Sequence, residues 1–180
     1  MIIRLAVRKD LTAIAQTHLQ SYQWVYQGIM PQSYLAAQTC EKLSCSWEKR
    51  LFGPGNREFM YVAENDKGNI VGFIAASIDQ THDCFAREVT ALYLCREFQG
   101  RKIGRSLFQT VLHRFIAQKV GSLIVWVLAD NNLARGFYER LGGVVVDKRI
   151  ISRGKPLSQL AYGWEEINNA ELDTGNNVKC

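Results

Sequence analysis

The sequence predicts a mixed α/β (α+β) fold, in which helices flank a central sheet. Short apolar runs with strand character alternate with longer segments in which apolar residues recur at helical spacing. With 180 residues, 47% of them hydrophobic, the chain is long enough for one substantial core. No internal repeat divides it. We therefore expect one domain over residues 1–167, followed by a polar and flexible tail over residues 168–180.

The first third of the chain predicts one strand and two helices. Residues 2–7 fit a short strand. Apolar positions then recur at helical spacing from Leu11, after a candidate N-cap at Asp10. A second helix is predicted over residues 32–51, and the glycine- and proline-containing sequence at residues 53–56 ends it.

The middle of the chain predicts three strands. Residues 59–63 and 70–78 fit two strands, and the turn-forming sequence at residues 65–69 joins them as a hairpin. Residues 86–94 fit a third strand. A loop with glycines and basic side chains follows at residues 99–104.

A helix with a broad apolar face begins at Ile103, and we expect it to end at Gly121. The continuous apolar run at residues 123–128 is typical of a strand covered on both faces. A short helix is predicted next, capped by either Asp130 or Asn131.

Glycines at 142 and 143 end that short helix. Residues 144–151 and 159–164 then fit two strands joined by a turn. The predicted order is therefore β-α-α-β-β-β-α-β-α-β-β.

Composition excludes several classes of protein. The formal charge of +5 favours anionic ligands, but the basic residues are spread along the chain, so a nucleic-acid surface is not expected. Five cysteines without a CxxC pair predict neither a disulfide framework nor a metal site. No apolar run is long enough to span a bilayer, and no secretory signal is evident. We expect a soluble, cytoplasmic protein without a bound metal.

The loop at residues 99–104, Gln-Gly-Arg-Lys-Ile-Gly, is the strongest candidate for a ligand site. A strand that turns through glycines into a helix presents free N–H groups and the positive end of the helix dipole to an anion. The residues of the loop do not match a Walker A motif. Its position after a hairpin does not match the dinucleotide-binding motif, which follows the first strand of a βαβ unit. We therefore predict a pyrophosphate site.

Two segments carry a family resemblance. Residues 92–105 resemble the acetyl-CoA-binding motif of the GNAT superfamily of N-acyltransferases, and residues 131–142 resemble its Asn-x-x-Ala-x-x-Phe-Tyr-x-x-x-Gly helix. They occur in the family's order. The resemblance covers about residues 2–166 and implies a mostly antiparallel mixed sheet. Lys102 occupies the position of the first glycine of the loop motif, where a positive φ would strain a non-glycine residue.

The resemblance implies that acetyl-CoA is the co-substrate and that the reaction acetylates a primary amine. Asn131 either contacts CoA or caps the following helix, and both roles stay open. The residues implied to bind CoA are Leu92, Tyr93, Leu94, Gln99, Gly100, Arg101, Lys102, Ile103, Gly104, Arg105, Asn131, Ala134, Phe137 and Tyr138.

The resemblance also implies two catalytic residues. The phenol of Tyr138 would donate a proton to the leaving sulfur, unless it is a packing tyrosine. Glu88 matches the glutamate that takes a proton from the amine through water in the histone-acetylating branch. Alternatively, Glu88 is an exposed side chain at the end of the strand, or it pairs with Arg87. Strand alternation predicts that Glu88, Thr90, Leu92 and Leu94 share one face.

The acceptor is less defined. Tyr22, Trp24 and Tyr26 cluster near the first loop, where relatives build the acceptor pocket, although core packing is the alternative. A compact domain favours a small-molecule amine over a protein N-terminus or lysine. Another alternative is a non-catalytic module that binds CoA or a metabolite. Family members often dimerise, so a homodimer is also an expectation.

Overall fold

A seven-stranded sheet runs through the structure, a computed structural model that describes residues 1–80 and 82–167. The strands lie in the order β1-β2-β3-β4-β5-β7-β6, and all neighbouring pairs are antiparallel except β4 and β5. The strands are β1 (Ile2–Leu5), β2 (Glu58–Glu64), β3 (Ile70–Ser77), β4 (Arg87–Leu94), β5 (Leu123–Leu128), β6 (Val144–Ser152) and β7 (Pro156–Trp164). The predicted mixed, mostly antiparallel sheet is confirmed.

Five helices flank the sheet within the described residues. They are α1 (Leu11–Tyr26), α2 (Gln32–Ala36), α3 (Cys40–Phe52), α4 (Ile103–Ala117) and α5 (Asn132–Arg140). Across these parts of the chain no helix is both long and apolar enough to cross a membrane. The predicted tail, residues 168–180, lies outside the described residues.

The single helix predicted over residues 32–51 is wrong, because the chain forms two helices there. Thr39 adopts an extended conformation, with φ −128° and ψ 158°, and its side chain accepts a hydrogen bond from the Lys42 amide. This is an N-cap, and it starts α3. Apolar spacing runs through the break and therefore hides it.

Two predicted helix ends also differ. Asp10 precedes α1, but its carboxylate accepts hydrogen bonds from Arg4 and from the Val7 amide rather than capping the helix. Helix α4 ends at Ala117, before the predicted stop at Gly121. Lys119 has a left-handed φ of 58°, and this turn ends the helix without a glycine.

Each face of the sheet has its own core. Helices α4 and α5 cover one face, where Phe108 and Phe115 pack with Val89 and Val125. Helices α1 and α3 cover the other face, where Ile14 and Trp47 pack with Phe73, among others. A cavity that opens between two strands of this sheet would therefore connect two separately packed sides.

Such an opening exists between β4 and β5. Their parallel ladder covers Arg87–Val89 on β4 and Leu123–Val125 on β5, and the strands separate beyond it. Towards β3, the register shifts so that Ala75 pairs with Ala91 while Ala76 pairs with Val89. Thr90 is the extra residue of this β-bulge.

The bulge changes which β4 residues share a face. Val89, Leu92 and Leu94 pack towards α4, whereas Ala91 and Tyr93 pack towards α1 and α3. The predicted common face for Glu88, Thr90, Leu92 and Leu94 is therefore wrong, because one inserted residue inverts the alternation. Glu88 pairs with Ile124 and lies on the face opposite α4.

Candidate active site

A cavity of about 420 Å³ occupies the gap between the separated strands. One side is formed by the loop before α4, the first turn of α4 and helix α5, which we call the donor wall. The other side is lined by Ser21, Val25 and Tyr26, from the second half of α1. We call this half of α1 the acceptor wall, together with helix α2 and the β6–β7 turn at residues 153–155, which pack behind it without lining the cavity. Residues of α1 and of α5 both line the cavity, so it connects the two faces of the sheet.

The donor-wall loop has a left-handed backbone at two positions. Gly100 has φ 72°, and Lys102 has φ 63° and ψ 1° as the residue that precedes α4. A left-handed conformation costs a non-glycine residue about 1–2 kcal/mol. This position therefore has the positive φ that the loop motif suggested, and Lys102 adopts it at that energetic cost.

This loop directs backbone donors into the cavity. The first N–H groups of an α-helix have no intrahelical acceptor, and at the start of α4 they include those of the cavity-lining residues Ile103 and Gly104. The side-chain Nε2 of Gln99 donates to the Leu94 carbonyl at 3.3 Å and ties the loop to β4. N–H groups at a helix start, the helix dipole and cationic side chains are together the features that favour an anion.

Close packing fixes α5 against the loop. A Cβ atom on Gly104 would lie 3.4 Å from the Phe137 ring, so glycine allows this close approach. Asn131, with 7% of its surface exposed, caps α5 by accepting from the Ala134 amide at 3.1 Å. Asn131 also lines the cavity. The predicted cap is confirmed for Asn131, and this side chain is positioned for both of its candidate roles.

Tyr138 lines the cavity from the second turn of α5. It is 4% exposed, and its ring packs against Phe108 and Trp164. Burial raises the pKa of the Tyr138 phenol, and its proximity to Tyr26 adds to the rise. The phenol is therefore protonated at neutral pH and available as a proton donor.

Two further phenols meet Tyr138 across the gap. Burial raises the pKa of Tyr26, against hydrogen bonds from the side chains of Tyr93 and Asn131 that favour its ionised form. Burial also raises the pKa of Tyr93 well above its usual range. Tyr26 belongs to α1, Tyr93 to β4 and Asn131 to α5, so this cluster joins the acceptor wall to the donor wall.

Four other predicted site residues do not line the cavity. Tyr22 stacks edge-on against Tyr26 at 4.8 Å and donates to the Met30 sulfur, so it lies behind the lining. Trp24 lies outside the cavity, where the Arg96 guanidinium is 5.2 Å from its ring. Arg101 also lies outside, above the Phe98 ring. Glu88 lies beside the cavity on the acceptor face of the sheet.

Several lining residues were not predicted. Thr90 lines the cavity at the bulge, and it bonds to the ion pair between Arg50 and Glu58. The others are Ser21, Val25, Val89, Ala91, Val125, Trp126, Val127, Leu133, Arg140 and Leu141. Half of these ten are apolar strand residues, and no sequence signal marks the point where two strands separate. Over residues 1–80 and 82–167, no group of three His, Cys, Asp or Glu residues could hold a metal ion.

Comparisons with known proteins decide the family. The model of the acetyltransferase (GNAT) family matches residues 19–143 of the 180-residue chain. The chain belongs to the GNAT family. Its match covers both donor-wall segments, and family membership makes this GNAT protein an acetyl-CoA-dependent acyltransferase.

Similar proteins agree with this assignment. An uncharacterized N-acetyltransferase, YuaI of Bacillus subtilis, is 25% identical over 168 residues, 92% of this chain and 94% of that protein. The spermidine N(1)-acetyltransferase of Thermoplasma acidophilum is 26% identical over 146 residues, 77% of this chain and 85% of that protein. The crystal structure of PaiA N-acetyltransferase from Thermoplasma acidophilum in complex with coenzyme A superposes with a TM-score of 0.69. Its sequence identity is 21%, over 91% of this chain and 100% of that chain.

Proposed function

We propose that this GNAT protein transfers the acetyl group of acetyl-CoA to the primary amine of a small molecule by direct attack in a ternary complex. One observation carries the proposal: the cavity is continuous from the donor wall to the acceptor wall through the gap between β4 and β5. Two substrates that enter from opposite faces would meet there. The spermidine acetyltransferase among the similar proteins supports a small amine as acceptor.

The donor wall fits the two halves of acetyl-CoA. The first turn of α4 offers backbone N–H groups to the pyrophosphate, and Lys102 and Arg105 add positive charge. Residues 91–94 pair with β3 on one edge, and their other edge faces the gap that β5 leaves open. An extended chain of amides can add to such an edge, as in β-augmentation. The bound co-substrate would supply an activated thioester carbonyl.

We assign proton transfer to two side chains. Tyr138, neutral and buried, is the general acid that protonates the departing sulfur. Glu88 is the proposed general base, acting through water, because it lies on the face of the sheet that carries Ile124 and the cavity-lining Trp126. An N–H group of the open β4 edge would polarise the thioester carbonyl.

The experiment combines binding with turnover. Acetyl-CoA is titrated into the protein by calorimetry, and thiol release is then measured with a panel of small amines and with peptides that present an N-terminus or a lysine. We expect binding, thiol release with small amines, and intersecting initial-rate lines, as direct transfer requires. Parallel lines would instead indicate a covalent acetyl-enzyme. Binding without thiol release across the panel would favour the non-catalytic CoA-binding module. Faster release with peptides would favour the protein acceptor.

A further inference from the structure

Charge around the cavity distinguishes between classes of amine. Among the described residues that line the cavity, none is acidic, and the ionisable ones are three tyrosines with Lys102, Arg105 and Arg140. A second ammonium group, as in a polyamine, would therefore have no carboxylate to receive it inside the cavity. Burying an unpaired ammonium group is costly.

Apart from the proposed base Glu88, four acids around this side of the sheet are engaged by other groups. Glu58 is paired with Arg50 at 2.6 Å. Asp147 lies 3.5 Å from His82 Nε2 and accepts from the Lys148 amide at 2.6 Å. Farther out, Glu48 pairs with Arg8 and Asp79 pairs with Arg57.

The acceptor side carries two guanidinium groups instead. Arg149, on β6, lies over the ring of the cavity-lining Trp126, with Cζ 3.9 Å from the ring centroid. Its Nε donates to Gln159 at 2.8 Å, which fixes the plane of the guanidinium and leaves the two terminal nitrogens for another acceptor. Within the described parts of the chain, Arg149 has no ion pair with a carboxylate.

Arg153 occupies the β6–β7 turn, four residues farther along. A Cβ atom on its neighbour Gly154 would lie 3.3 Å from Pro31 and 3.7 Å from Tyr34, so the turn packs against the loop between α1 and α2. Burial raises the pKa of Tyr22 to about 12, and the nearby charge of Arg153 opposes that rise. Tyr22 in turn contacts the cavity-lining Tyr26.

We propose that the acceptor carries an anionic group, such as a carboxylate, in addition to its primary amine, and that Arg149 and Arg153 bind that group. The inference rests on the proposed amine acetylation and narrows its substrate class to amino acids and related zwitterions. Arginine suits the role because its planar donors match a carboxylate. The positive charges of Arg149 and Arg153 disfavour polyamines.

The test uses amines that differ in one terminal group. Butylamine, 1,4-diaminobutane and 4-aminobutanoate share one chain length, and hexylamine, 1,6-diaminohexane and 6-aminohexanoate repeat the comparison. We expect kcat/KM to be about ten-fold higher for the amino acid than for the monoamine, as a charged hydrogen bond allows, and lowest for the diamine. The gain should appear in KM.

Variants connect that preference to the two arginines. The double change Arg149→Gln and Arg153→Gln should remove the preference, so that kcat/KM for the amino acid falls to the value for the monoamine measured with the same variant, since the anion contact is lost. The pair Arg149→Glu and Arg153→Glu should shift the preference to the diamine, which misfolding would not produce. Lys148→Gln is the matched control, because Lys148 is also exposed on β6 and precedes Arg149.

The outcomes separate the two proposals. A wild-type preference for the diamine, or a preference for the amino acid that survives the double glutamine change, would overturn the anionic acceptor and leave amine acetylation standing. Absence of thiol release with all six amines, while acetyl-CoA still binds, would overturn the proposed function and this inference with it.

Discussion

The donor wall of the cavity comes from two short stretches of sequence, and its key groups are backbone atoms of the loop and of the first turn of α4. The acceptor wall instead collects side chains from α1, α2 and the β6–β7 turn, which are distant in sequence. The proposed phosphate site therefore depends on local conformation, whereas the proposed acceptor recognition depends on tertiary packing. We expect changes in the donor wall to act on the chemistry and changes in the acceptor wall to act on stability and specificity.

The largest expected effect comes from Tyr138, on the donor wall. Tyr138→Phe removes the phenolic proton and keeps the ring that packs on Phe108. Turnover should fall by roughly ten- to a thousand-fold, as for loss of a general acid, with little change in melting temperature. Tyr34→Phe, on the acceptor wall, is the control and should retain turnover. An unchanged rate for Tyr138→Phe would remove this residue from the mechanism.

His18, in α1 next to the acceptor wall, tests whether packing on this face of the sheet governs stability. Its Nδ1 accepts a hydrogen bond from Trp47 Nε1 at 3.0 Å, and its ring lies 4.4 Å from the Tyr93 ring. Burial, aided by the charge of Arg50, lowers the pKa of His18 to about 4. The unfolded chain, with a pKa near 6.5, takes up the proton first as pH falls. The stability due to neutral His18 is therefore complete above about pH 6.5 and is lost towards pH 4.

The size of this effect follows from the shift. A pKa difference between about 6.5 and about 4 corresponds to about 3 kcal/mol of unfolding free energy. Denaturant titrations at intervals from pH 7 to pH 4 measure it. His18→Gln keeps a hydrogen-bond acceptor for Trp47 but does not titrate, so its curve should be flatter by that amount. Equal pH slopes in the two proteins would contradict the assignment.

Glu88 lies beside the cavity, on the face of the sheet opposite α4, and tests whether a carboxylate removes a proton from the amine. If it is the base, Glu88→Gln should lower kcat/KM about ten-fold or more and remove the acidic limb of the pH–rate profile. Glu97→Gln, outside the cavity, is the control. A Glu88→Gln enzyme that keeps the wild-type acidic limb would indicate that the amine arrives already neutral.

The two walls also differ in how far the sequence could predict them. Local patterns were sufficient for the donor wall, because the loop before α4, the Asn131 cap and the α5 spacing each act within a few residues. The bulge at Thr90 was not predictable from alternation, since a single extra residue leaves no compositional trace. The position of Arg149 over Trp126 requires the pairing of β5 with β7 and of β7 with β6.

The smallest expected effects come from changes at Lys102. These changes separate the contribution of its backbone strain from that of its side-chain charge. Lys102→Gly relieves the left-handed strain, partly offset by the greater freedom of glycine in the unfolded chain, so the protein should gain about 0.5–1 kcal/mol of stability. It also removes one charge from the anion site, which should weaken CoA binding several-fold. Lys102→Ala loses the same charge but keeps the strain, so it should weaken binding equally without the gain in stability. Calorimetric titration with CoA measures the loss of binding in both variants, and denaturant unfolding measures their stability. Equal stabilities for the glycine and alanine variants would show that strain at this position is negligible.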